Sequence, residues 1–156
     1  MKRKEFSVII DAPAQLVWDV LWKVESYYQY TAPFCEGSSV KTTWQEGTEV
    51  KFLDASGQGT WGKIVKNQPP HRMWIEVLGV IHQDGRMDTS TEQARQWKGA
   101  VERYELREKD GSTLLQVEAD ISRELMDHFL KAWPAALSIV KELSEKEYDT
   151  VREVGI

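Results

Sequence analysis

The feature that most narrows what this chain can become is an apolar stripe near its C-terminus. Leu125, Phe129, Trp133, Ala136, Leu137, Val140 and Leu143 recur at nearly one helical turn, so they share one face of an α-helix. Ser122 is placed to cap that helix, which runs to about Tyr148, and Glu142, Glu145, Lys146 and Glu147 mark its solvated end. Pro134 falls inside the stripe; it removes a backbone donor and is expected to bend the axis. A long helix with one apolar face needs a broad apolar surface to lie on.

The preceding sequence supplies a sheet. Phe6 to Ile10 reads as a first strand. Asp11-Ala12-Pro13 then opens a helix, with Asp11 as candidate N-cap and Pro13 in the first turn, where its missing N–H costs little. Leu16, Val17, Val20 and Leu21 form the apolar face of this helix, beside Trp18 and Trp22. A second short helical piece, Ser26 to Thr31, carries Tyr27, Tyr28 and Tyr30 and ends before Pro33. From Val40 to Asp120 the pattern changes to strands and turns: Glu49 to Asp54, Thr60 to Lys66, Met73 to Val80, Ala100 to Glu108 and Leu114 to Asp120. Ser90-Thr91-Glu92-Gln93 matches a capping box and predicts a short helix reaching Gln96 or Trp97. Strands joined by short turns pair antiparallel, so the class is α+β and not doubly wound. The expected architecture is one domain spanning residues 1–156: a curved antiparallel sheet wrapped around the C-terminal helix, with two short helices after the first strand.

Composition removes several functions. The formal charge of −5 argues against a phosphate-binding surface, because nucleic-acid affinity rests on Lys and Arg. Cys35 is the one cysteine, so neither an internal disulfide nor a cysteine metal cluster is expected, and a reducing, cytoplasmic setting fits. Met1 to Lys4 is basic, but Asp11, Pro13 and Asp19 interrupt the apolar run that a leader needs. No stretch approaches the roughly 20 apolar residues of a membrane span. The three histidines, His71, His82 and His128, have no metal-ligand spacing. No metal and no cofactor is expected. Gly57-Gln58-Gly59-Thr60-Trp61-Gly62 fits GxGxxG, but strands flank it on both sides and no helix follows; it reads as a turn.

Certain stretches, in their order along the chain, carry a family resemblance. They are Ile10-Asp11-Ala12-Pro13 leading to Val17-Trp18, Gly85 through Asp88-Thr89 to Trp97, and Glu102-Arg103-Tyr104-Glu105-Leu106. The last is Phe129-Leu130-Lys131-Ala132-Trp133-Pro134-Ala135-Ala136-Leu137 followed by Leu143-Ser144-Glu145. The chain resembles the START-like (SRPBCC) superfamily with the helix-grip fold, in the branch related to the activator of heat-shock protein 90 ATPase. The resemblance implies a cavity between sheet and long helix that takes lipids, sterols, polyketides or other hydrophobic molecules. It also implies two alternatives, a cyclase- or hydrolase-type enzyme and a co-chaperone-like module with a chaperone partner. Fold does not choose among them.

Within such a fold Tyr30, Phe34, Phe52, Tyr104, Phe129 and Trp133 converge, and Trp18, Ile75, Glu102 and Leu137 complete the candidate ligand-binding set. The aromatic cluster is either a filled core or a pocket wall. Glu102 shares its strand face with Tyr104 and Leu106. It is either a polar anchor or acid/base group at the cavity mouth, or else one half of a structural pair with Arg or Lys or an exposed group at the strand end. Cys35 falls near the expected entrance without a histidine partner, and no catalytic residue is assigned. Trp61 and Trp74 lie on strands with apolar residues on both faces, which leaves their direction open. The segment from Gln83 to Trp97 is long for a strand connection and is a candidate lid.

Overall fold

The computed structural model describes residues 1–154. In chain order its elements are β1 (Lys2–Ile10), α1 (Ala14–Trp22), α2 (Val24–Thr31), β2 (Ser39–Lys41), β3 (Glu49–Leu53), β4 (Gly59–Gln68), β5 (Arg72–Ile81), β6 (Met87–Asp88), α3 (Glu92–Trp97), β7 (Val101–Lys109), β8 (Ser112–Ile121) and α4 (Met126–Glu153). The strands form one antiparallel sheet in the order β1-β8-β7-β5-β4-β3-β2, with β6 paired to β5. The sheet curls around α4, which packs on β1, α1 and α2. This is the α+β helix-grip architecture that the stripe and the alternating strands predict.

Pairing follows the alternation. On β8 Leu115, Val117 and Ala119 are buried between exposed or half-buried neighbours. They stand in register with Leu106, Tyr104 and Glu102 of β7. Two register shifts interrupt β4–β5, at Trp61/Gly62 and Ile64/Lys66; such irregularities bend and twist a sheet. Gly62 and Gly79 allow the close approach there. A Cβ on Gly79 would lie 2.1 Å from the Asp88 carbonyl and 2.8 Å from the Trp61 indole nitrogen.

Several local expectations are corrected. β1 begins at Lys2, not Phe6. It is an edge strand paired only to β8, so its first residues are held by backbone bonds without apolar burial. Asp11 does not cap α1, and Pro13 holds the N-cap position instead. The Asp11 carboxylate accepts the Ser112 hydroxyl at 2.9 Å, drawn to the β7–β8 hairpin. The Ala14 N–H donates to Glu108 Oε1 at 2.7 Å, so the cap comes from a distant strand.

Ser122 does not cap the long helix either. It closes a turn, its carbonyl accepting the Leu125 N–H, and α4 starts at Met126 and continues past Tyr148 to Glu153. Pro134 sits within α4. In α3 the cap is Thr91, not Ser90; Thr91 Oγ1 accepts the Ala94 N–H at 3.2 Å. The glycine-rich stretch is a β3–β4 turn running into β4, where Gly57 has a positive φ of 91°.

Candidate functional site

The residues under α4 divide into a packed half and a hollow half. Toward its C-terminal half, Ala136, Leu137 and Val140 are buried in one cluster with Ile10, Val17, Leu21, Leu115 and Val117. Toward its N-terminus, Leu125, His128, Phe129 and Trp133 border a cavity of about 490 Å³. That volume lies within the range of about 300–1,000 Å³ typical of small-molecule sites.

The sheet wall of the cavity mixes small residues with large ones such as Phe52, Val80 and Ile81. Gly59, Thr60, Ala100 and Ala119 form part of the sheet wall, where Leu or Ile would fill the space. Tyr27, Tyr30, Thr31 and Phe34 form the wall from α2 and the turn after it, and Gln93 and Trp97 of α3 close a further side. The aromatic rings brace one another. Phe34 meets Phe129 and Trp133 edge-on at 5.1 and 4.9 Å, and Phe6 stacks on Trp133 at 5.8 Å.

Of the candidate residues, Tyr30, Phe34, Phe52, Glu102, Tyr104, Phe129 and Trp133 lie on this wall. Trp18, Ile75 and Leu137 do not; they are buried in the packed core. They point inward as expected but belong to the buried cluster and not to the cavity wall, Ile75 standing directly across from the wall residue Glu102. Trp61 and Trp74 do not line the cavity. Trp74 lies between Lys66 Nζ at 4.2 Å and the Arg103 guanidinium at 5.0 Å, a cation–π sandwich on the outer side.

Polar groups interrupt the apolar wall. Glu102 stands between Ile75 and Ala119 across the sheet. The Tyr104 hydroxyl donates to its Oε1. Burial pushes the Glu102 carboxyl above its ordinary value, and the Tyr104 bond only partly offsets this. Burial, reinforced by the Glu102 charge, also holds the Tyr27 and Tyr104 phenols neutral well above their usual range. Tyr30 is likewise raised, and its hydroxyl donates to the Leu21 carbonyl at 2.7 Å.

At the rim, His82 Nε2 is 2.8 Å from Asp88 Oδ2. That carboxylate also accepts the Thr91 hydroxyl at 2.6 Å, the Ser90 N–H at 2.9 Å, the Thr91 N–H at 3.2 Å and the Ser90 hydroxyl at 3.5 Å. These bonds, Thr91 first and His82 second, hold the Asp88 carboxyl far below the usual range. The segment from Gln83 to Trp97 is thus clasped to β5, and it contributes Gln93 and Trp97 to the wall. His128 Nε2 donates to the Phe34 carbonyl at 2.7 Å, tying α4 to the turn after α2. Cys35 is exposed and also borders the cavity. Sequence reading passed over Tyr27, His82, Trp97 and Ala100 as site residues. The available signal was weak: small inward residues, and an Asp-x-Ser-Thr turn before a short helix.

Among the described residues no group of His, Cys, Asp and Glu has the arrangement to hold a metal ion, and no helix is long and apolar enough to cross a membrane.

This geometry defines a class: a helix-grip α+β domain with an aromatic-walled cavity at one end of the gripped helix. Solved structures share the fold. The Aha1 dimer from Colwellia psychrerythraea superposes with a TM-score of 0.69 at 14% identity, over 93% of this chain and 97% of that one. Protein MLL2253 from Mesorhizobium loti gives 0.70 at 11% identity, over 93% and 98%. DynU16, from the dynemicin biosynthetic locus, gives 0.67 at 11% identity; the match covers 95% of this chain but 49% of that one. No family model and no curated protein matches the chain. At these identities the likeness establishes the fold, the helix grip that the sequence resemblance implies.

Proposed function

We propose that the domain binds a small hydrophobic molecule in the space between the sheet and the N-terminal half of α4. The observation that carries this reading is the cavity of about 490 Å³ beside a well-packed core in the same molecule. Leu137 and Val140 are buried in the cluster beside it, and Ala100 and Ala119 are among the small residues on the cavity wall. Burial of an apolar ligand there contributes roughly 25 cal/mol per Å² before the costs of association. Native mass spectrometry of freshly purified protein, followed by titration with the neutral probe N-phenyl-1-naphthylamine, tests the reading. A co-purifying small molecule, or saturable one-to-one probe binding weakened by Phe129→Ala, is the expected result. Absence of both rejects it.

A second reading is acid–base catalysis of the cyclase or hydrolase kind in the same space. It is favoured by one observation: Glu102, Tyr104 and His82 lie on the cavity wall, Glu102 hydrogen-bonded to Tyr104 and His82 to Asp88 beside it. A carboxyl raised by burial and a carboxylate-anchored imidazole are common forms of general acid and base. Turnover of an ester or polyketide-type substrate, lost in both Glu102→Gln and His82→Gln while binding persists, is the outcome this reading requires. Turnover unchanged in both variants removes it.

A further inference from the structure

The cavity wall is lopsided in charge. Among the described residues no Lys or Arg lines it, whereas Asp54, Glu102 and Asp120 do. Two of these carboxylates are already satisfied. Arg3 grips Asp120 through two bonds of 3.1 and 3.2 Å, and the Val101 N–H adds a third at 2.9 Å. Asp54 accepts from the Ser56 hydroxyl and N–H and from the Gln58 N–H within its own turn.

Glu102 is different. Its cross-strand neighbours Ile75 and Ala119 bring no charge. Oε1 takes the Tyr104 hydroxyl, and Oε2 makes no hydrogen bond among the described residues. The two imidazoles on the wall have Nε2 already committed, to Asp88 and to the Phe34 carbonyl. The wall thus offers a carboxyl with no cationic partner, enclosed with Tyr27, Tyr30 and Tyr104.

We propose that the occupant is an organic cation: an apolar body carrying an ammonium group that seats against Glu102 and the surrounding aromatic faces. This rests on the ligand-binding reading of the cavity and names the chemistry of the ligand. An ammonium leaving water loses strong hydration, and only an opposite charge with good contacts offsets that loss. Glu102 supplies the charge, and tyrosine faces add cation–π attraction, which grows when water is excluded. A carboxylate ligand meets the opposite situation, a like charge at the same place. A neutral ligand leaves Glu102 unpaired.

The test uses three probes with one body and different heads: (2-naphthylmethyl)trimethylammonium, 2-naphthalenemethanol and 2-naphthylacetate. Each is titrated calorimetrically into wild-type protein and into Glu102→Gln, whose fold is checked by near-UV circular dichroism. The wild-type series alone is decisive should the variant not fold. The ammonium is expected to bind at least about tenfold tighter than the alcohol, with the acetate weakest. In Glu102→Gln that gap closes to within about threefold while the alcohol's affinity holds. An alcohol that binds as tightly as the ammonium overturns the cation and leaves the ligand-binding reading standing. No binding by any of the three overturns both. An ammonium preference that survives Glu102→Gln overturns the role given to Glu102.

Discussion

The two ends of α4 face the same sheet and end up in opposite physical states. Around Leu137 and Val140 the helix shares one buried cluster with Ile10, Val17, Leu21 and Leu115. Around Leu125 and Phe129 it meets Ala119, Ala100 and a ring of aromatics, and a ligand-sized space remains. The same periodicity generates both ends; the residues that face it differ. Amphipathic patterning thus decides where a helix lies, and residue volume decides whether the contact is solid.

Substitutions at the two ends sharpen this contrast. Trp133 stands at the boundary, buried and stacked on Phe6 yet bordering the cavity. Trp133→Ala is expected to cost ~3–5 kcal/mol in urea denaturation and to alter probe binding as well. Leu137→Ala, at the solid end, should cost roughly 2–5 kcal/mol and leave probe affinity unchanged. Probe binding that drops with Leu137→Ala, after correction for the folded fraction, breaks the division into two ends.

The rim clasp comes next. Asp88→Asn removes a carboxylate that serves His82, Thr91 and Ser90, and a loss of stability is expected in urea denaturation. Because the folded-state value of this group is depressed, its contribution is complete above the ordinary carboxylate range and fades as pH falls below it. Wild type and variant should therefore converge in stability under strong acid. A difference independent of pH means that shape, not charge, holds the clasp.

Glu102 has the reverse sign. Its folded-state value is raised by burial, so the protein is relatively favoured where the group is protonated in both states. That advantage is lost as pH rises through the folded-state value. Glu102→Gln is expected to be more stable than wild type at pH 8. The two should be equal near pH 3, as thermal melts across pH would report. A variant less stable than wild type at pH 8 points to a cation near Glu102 within the protein.

Much of the fold was legible because its periods are unambiguous. The α4 stripe and the alternation of Tyr104, Leu106, Leu115 and Val117 permit one arrangement of helix and strands. Glu102 and Tyr104 were legible as neighbours because residues two apart on a strand share a face. What local pattern does not encode was missed. The cap of α1 is Glu108, from a strand 94 residues away. The direction of Trp61 depends on the register shift beside it. Strands β2 and β6 are too short to leave a periodic trace. Trp18, Ile75 and Leu137 show the limit most clearly. Their inward direction was readable, but whether an inward side chain borders the cavity or the buried cluster depends on how the whole sheet curls.

Ala119 carries a final consequence. It faces the chamber beside Glu102 on a strand paired along both edges, so the frame around it owes little to its lone methyl. Replacing that methyl with Val or Leu would shrink the chamber stepwise and leave the architecture alone. The room inside is set in part by the bulk of one side chain whose own contribution to holding the chain together is slight.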